Sequence, residues 1–258
     1  MNTAIDAHVH VWTDDQTRYP RDSKERDYPP PRFTPDDLFG HSKPAGVNRI
    51  VLIQMSFYRF DNRYMLDCIA KYPGVFAGVG IVDLARAPEK AMIALAKRGV
   101  RGFRIAPGPF PATWLENEPM ERMWRTGGEH RLAMCCLVGP DAIPSVARMC
   151  ARHPETPVVI DHLARIGADG EVRDADIRSL CSLAKYSQVK VKVSAFYALG
   201  VEEGSLPGFG FVYSPYSRSV RPSPTDVGER LPFSGTRRTH LYGFNRTDPL
   251  RTTVFERR

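Results

Sequence analysis

The sequence predicts an α/β fold, a (β/α)8 TIM barrel that is incomplete: seven strands are recognisable and the C-terminal tail is irregular. Three observations lead there. Short apolar segments alternate with stretches of helical spacing, each pair the size of one βα repeat, and a series that regular builds a parallel sheet. No glycine-rich phosphate loop follows any of these strands, which disfavours an open nucleotide-binding sheet. A chain of 258 residues with 42% hydrophobic content is also long enough to fill one such barrel.

The first strand is Ile5–Trp12, where apolar and polar residues alternate. His8 and His10 are two apart, so both imidazoles project from one face of it. Two imidazoles on one face are half of a divalent-metal site, and borderline ions such as zinc favour them. A polar, proline-rich loop follows, Thr13 to Phe33, in the position that overhangs the C-terminal mouth of a barrel. Thr34-Pro35-Asp36-Asp37 then starts a helix with a capping Thr, an early Pro and acids against the dipole; it runs to about Ala45, and Gly46 stops it.

Arg49–Ser56 is continuously apolar, as a strand buried on both faces should be. Further strands are expected at Val75–Asp83, Val100–Ala106, Leu132–Gly139, Pro157–Leu163 and Gln188–Phe196. The intervening helices are expected at Asp61–Tyr72, Pro88–Arg98, Glu118–His130, Asp141–His153 and Asp174–Lys185.

Composition narrows the classes. The formal net charge is +7, but residues 1–200 mix 27 basic with 23 acidic groups and show no basic stripe with interleaved aromatics, so nucleic-acid binding is not expected. No apolar run approaches a membrane span, and no basic-then-apolar leader opens the chain. The five cysteines are odd in number and lack paired-ligand spacing; they read as reduced core thiols of a cytoplasmic protein.

In a (β/α) barrel the reactive side chains gather at the C-terminal strand ends. His8 and His10 lie at the end of strand one, and strand six ends in Asp161-His162, bringing a third imidazole to the same rim. Three nitrogens leave metal positions open for water and substrate, and a metal so held lowers the pKa of its water to about 7. Hydrolysis further requires a carboxylate to take that water's proton. Arg104, ending strand four, offers a planar fork for a substrate carboxylate, or forms a rim salt bridge.

The segments IDAHVHVW, GVRGFRI, VVIDHLARIG and KVSAFYALG, in this order and spacing, resemble the amidohydrolase superfamily, in particular its amidohydrolase-related branch of lactonases and decarboxylases. The resemblance covers residues 1–200. It implies a TIM barrel, a small-molecule substrate such as a carboxylated lactone, ester or amide, and a divalent metal, zinc by preference, at His8, His10 and His162. Where many relatives carry a His on strand five, this chain has Ala133-Met134-Cys135-Cys136, so a thiolate would have to substitute.

From Val201 the character changes. Residues 201–258 contain no Ala, Ile, Met, Lys, Cys or Trp, but six Pro, six Gly and six Ser, without strand or helix periodicity. The catalytic Asp that the family carries on strand eight, in a D-C-P context, is missing. Thr225–Ser234 written as degenerate codons and read one nucleotide out of phase admits LMWASDCPFQ, which contains that motif. The expectation is therefore a barrel domain over 1–200 and a frame-shifted tail over 201–258. The predicted function is lactone, ester or amide hydrolysis, impaired by loss of the strand-eight Asp. A non-oxidative decarboxylase on the same barrel and a catalytically dead product of a disrupted gene are the alternatives.

Overall fold

The computed structural model describes residues 4–22, 29–106 and 112–195. Seven strands run in chain order: β1 Ala4–Val9, β2 Val47–Ile53, β3 Phe76–Gly80, β4 Val100–Ile105, β5 Ala133–Cys136, β6 Val158–Ile160 and β7 Val189–Val191. They form one sheet in which each strand pairs only with its sequence neighbours, always in parallel. Between them lie α1 Pro35–Ser42, α2 Arg63–Lys71, α3 Pro88–Ala96, α4 Glu118–His130, α5 Ile143–Arg152 and α6 Asp174–Ser182. Every expected strand and helix is present; β1 and β2 start one and two residues earlier than expected and end three earlier, and the others are shortened at one or both ends or unchanged. The expected frame-shifted tail lies outside the described residues.

The sheet is curled. Laid flat, six strand spacings would separate β1 from β7 by roughly 29 Å. Instead Lys192, directly after β7, places its Nζ 3.1 Å from the Nδ1 of His8 on β1. This is the curvature of a TIM barrel, seven strands of which are described.

Both faces of the sheet are apolar. Ile50, Leu52, Phe103, Met134, Cys136, Val158 and Ile160 belong to the large core shared with the helices. The alternate residues Val51, Ile53, Val79, Ala133, Cys135 and Val159 form a second, smaller cluster, the barrel interior. That explains why β2 reads as a continuous apolar run rather than an alternation.

Helix starts follow the local chemistry. Thr34 caps α1 through the backbone N–H of Asp37, and the Asp37 carboxylate accepts back from the Thr34 N–H, completing a capping box. Asn117 caps α4 by accepting from the Met120 N–H at 3.0 Å. The loop after β1 is tied down near the mouth. Trp12 and Phe33 exchange backbone hydrogen bonds, the Trp12 indole donates to the Pro30 carbonyl, and buried Arg21 donates to the carbonyls of Thr13 and Pro31.

Candidate active site

β6 stops at Ile160, short of the expected end at Leu163, because the chain leaves the strand in a left-handed turn. His162, Leu163, Ala164 and Arg165 all have φ between 52° and 55°. For non-glycine residues this conformation costs about 1–2 kcal/mol each. Surroundings hold it in place: Leu163, Ala164 and Ile166 are buried, the Leu163 N–H donates to the Lys192 carbonyl at 3.0 Å, and the Lys192 N–H donates to the Ile160 carbonyl at 2.8 Å. Backbone strain of this kind gathers at functional sites. Here it turns the His162 ring toward β1, where its centroid lies 4.6 Å from that of His8. The Nδ1 of His162 is held by the Ser194 hydroxyl at 2.8 Å.

Asp161 lies at the centre of the group and is fully buried. Lys192 Nζ stands 3.0 Å from its Oδ1 and Arg104 Nη2 stands 3.4 Å from its Oδ2. Burial alone would raise the Asp161 carboxyl, but the adjacent His8, 3.7 Å away, and the charge of Lys192 hold it well below the usual carboxylate range. His8 is pressed the other way: desolvation and the Lys192 charge outweigh Asp161 and lower it to about 3. Burial likewise lowers His162 to about 4, against the pull of Asp161. Both imidazoles are therefore neutral at pH 7.

His8 is contested on both sides. Lys192 Nζ lies 3.1 Å from its Nδ1 and Arg104 Nη2 lies 3.2 Å from its Nε2. A neutral imidazole accepts at only one nitrogen, so one of these two donors goes unanswered.

His8, Asp161 and His162 bring one ligand atom each within 4.8 Å of one another, and among the described residues they are the only such group of three or more His, Cys, Asp or Glu. His10, expected as the third nitrogen ligand, sits beside this group. Its ring is 5.1 Å from that of His8, its Nδ1 bonds the Ile53 carbonyl at 2.9 Å, and burial lowers its pKa well below the ordinary value. Cys135 is a poor thiolate: burial in the barrel interior pushes its pKa up to about 12. Cys136 belongs to the core on the helix side of the sheet. Arg104 does form the salt bridge, yet its Nε is buried without a hydrogen-bond partner among the described residues.

Sequence reasoning passed over Asp161, Lys192 and Ser194. Asp161 precedes a singled-out His and ends an apolar strand, which was a usable signal. Lys192 gave none: Lys190 and Lys192 occupy equivalent places in the VKVKV alternation, yet Lys190 is exposed while Lys192 is only 5% exposed.

The described residues form a curled parallel sheet with a buried imidazole–carboxylate–ammonium centre beyond its strand ends, and the family match and the curated relatives make the chain a hydrolase of the amidohydrolase superfamily. The chain belongs to the family whose model is described as "Amidohydrolase", which matches residues 5–220 and so runs past the change of composition at 200. It is 30% identical over 230 residues to the L-fucono-1,5-lactonase of Burkholderia ambifaria, covering 85% of this chain and 76% of that protein. Among solved structures it is similar in fold to an Acinetobacter baumannii protein described as a probable 2-pyrone-4,6-dicarboxylic acid hydrolase with citric acid bound. The TM-score is 0.71 and the identity 23%, over 84% of this chain and 79% of that one. An amidohydrolase from Burkholderia multivorans with bound zinc gives a TM-score of 0.64 at 21% identity, over 78% of this chain and 72% of that one.

Proposed function

We propose that this centre opens small lactones bearing a carboxylate, and that the chain as it stands does so slowly. The observation carrying this reading is a buried carboxylate bracketed by Lys192 and Arg104 and flanked by two neutral imidazoles, all just past the C-terminal strand ends. The lactonase relative supports lactones as the substrate class, and the 4-sulfomuconolactone hydrolase of Rhizobium radiobacter, 27% identical, supports an anionic one.

Each residue has a part. Arg104 holds Asp161 and His8 through Nη2 and has an Nε without a hydrogen-bond partner among the described residues, so it has donors left for a substrate carboxylate. With no ion in the group, the buried Lys192 ammonium beside Asp161 would stabilise the charge that develops on the carbonyl oxygen as water attacks. Ser194 fixes the orientation of the His162 ring against that oxygen. His8, Asp161 and His162 have the donor chemistry of a zinc site, and Asp161 Oδ1 is buried without a well-formed hydrogen bond. A divalent ion held there would supply Lewis-acid polarisation of the carbonyl.

Proton removal from water is the step the described residues serve badly. Asp161 is the group's one carboxylate, and a carboxylate held so far below its usual range is a weak base. The family's strand-eight Asp would fill that role; the sequence holds no D-C-P, and because the shifted reading of Thr225–Ser234, beyond the family match, admits one, residues 201–258 are proposed to be out of frame. Localisation follows the thiols: no disulfide joins any of the five cysteines and four of them are buried, which suits the reducing cytoplasm. No helix among the described residues is long and apolar enough to cross a membrane.

The test is to purify this chain and a version with the tail returned to frame, and to follow acid release on sugar-acid lactones and carboxylated unsaturated lactones. General base help is worth about 10²–10⁴-fold, so the restored chain should be faster by at least about 100-fold. Equal rates would refute the account of the tail; no opening by either chain would refute the function.

A further inference from the structure

We infer that Lys192 and a divalent cation compete for one place, the space between His8, Asp161 and His162, so that Lys192 acts as a built-in stand-in that weakens metal binding. The inference deepens the reading above, and it rests on the same side chains.

The geometry comes first. Any ion bound by the group takes one oxygen of Asp161 and one nitrogen of His8, and every such atom already meets a cation: Lys192 Nζ lies 3.0 Å from Oδ1 and 3.1 Å from Nδ1, and Arg104 Nη2 lies 3.4 Å from Oδ2 and 3.2 Å from Nε2. A metal at bonding distance of about 2.0–2.2 Å from both ligands cannot coexist with an ammonium lodged against the same two atoms.

Charge points the same way. The group holds one carboxylate against two full cations, Lys192 and Arg104. A dication added to these, away from bulk water, meets repulsion that a single carboxylate cannot offset. Binding is relieved only if the ammonium leaves.

Lys192 is built to leave. Its backbone is pinned by the hydrogen bonds to Ile160 and from Leu163, but its head is held by the polar contacts at Asp161 and His8. The four-carbon stem lets the head swing while the backbone stays fixed. Arg104 lacks that freedom to the same degree, since its planar fork contacts Asp161 and His8 from the other side.

Zinc alone is the probe, with the whole untagged chain stripped by chelator. Zinc affinity is measured by competition with a fluorescent chelator, and stoichiometry by elemental analysis, for wild type and for Lys192→Met, which keeps the stem length and removes the charge. The expected result is one zinc per chain, bound at least about tenfold more tightly by Lys192→Met. The added substitution His8→Ala should abolish the gain. Lys192→Gln is the second variant should the Met side chain disturb folding, and circular dichroism checks the fold of each. Equal or weaker zinc binding by the folded neutral variants would overturn the inference, as would a gain that survives His8→Ala. Because no lactone is present, this outcome is independent of whether the chain turns over substrate.

Discussion

Asp161→Asn isolates the electrostatic core of the site with almost no change of shape. The carboxylate is fully buried, and its two partners are nearly so: the Lys192 side chain is 6% exposed and that of Arg104 is 10% exposed. Removing one partner of a buried ion pair typically costs about 3–5 kcal/mol, because the remaining charges stay desolvated without compensation. Asn still accepts one hydrogen bond through its carbonyl oxygen, so the lower end, about 3 kcal/mol, is expected here. For a chain of this size that corresponds to a fall in Tm of about 6–12 °C. Lys192→Met should be milder, since Asp161 keeps Arg104. The double variant should cost less than the sum of the two, with a coupling of more than about 1 kcal/mol. Urea unfolding of the four chains in chelator, read by fluorescence and circular dichroism, supplies all the terms. An Asp161→Asn cost below about 1 kcal/mol, or strict additivity with Lys192→Met, would show that the ion pair does not form in solution.

Three further outcomes follow from the packing. Burial pushes the thiols of Cys68, Cys135 and Cys150 up to about 11, 12 and 12, and that of Cys136 well above the ordinary value, so all four stay protonated at pH 8. Ellman's reagent should then label Cys181 alone in the folded chain and all five thiols after unfolding; rapid labelling of a second thiol would contradict the burial. Gly127→Ala puts a methyl 2.9 Å from the Leu132 carbonyl, the Met134 Cε and the Thr156 Cγ2, and should destabilise by about 1–2 kcal/mol despite the better helix propensity of Ala; a stabilised variant would refute that packing. At Ala164, with φ of 54°, glycine gains about 1–2 kcal/mol of relieved strain and loses about as much in methyl burial and chain entropy. Ala164→Gly should therefore unfold within about 1 kcal/mol of wild type, whereas the β-branched Ala164→Val should cost more than about 2 kcal/mol; equal stabilities would show that the turn is not left-handed.

The layout was legible in the sequence because parallel strands buried on both faces leave continuous apolar runs, and because a cap such as Thr34 marks a helix start. Strand-end position singled out His8, His10, His162 and Arg104, and the structure gathers His8, His162 and Arg104 around Asp161 with His10 beside them. Two things were not legible. The grouping of His162 with Asp161 and His8 depends on a left-handed turn of four non-glycine residues, which no local propensity favours and only the contacts with β7 sustain. Lys192 reaches the centre because curvature brings the end of β7 against β1, a closure that a local Val-Lys alternation does not encode. The same curvature explains why a cation enters the group without any spacing signal.

The central claim is that lactone opening runs through the His8–Asp161–His162 group. The direct measurement is kcat/KM of the restored-frame chain on its best carboxylated lactone, with and without His8→Ala, in variants whose folded circular dichroism matches. The account predicts a fall of at least about 100-fold for His8→Ala. An unchanged kcat/KM would place the chemistry elsewhere on the molecule and contradict it.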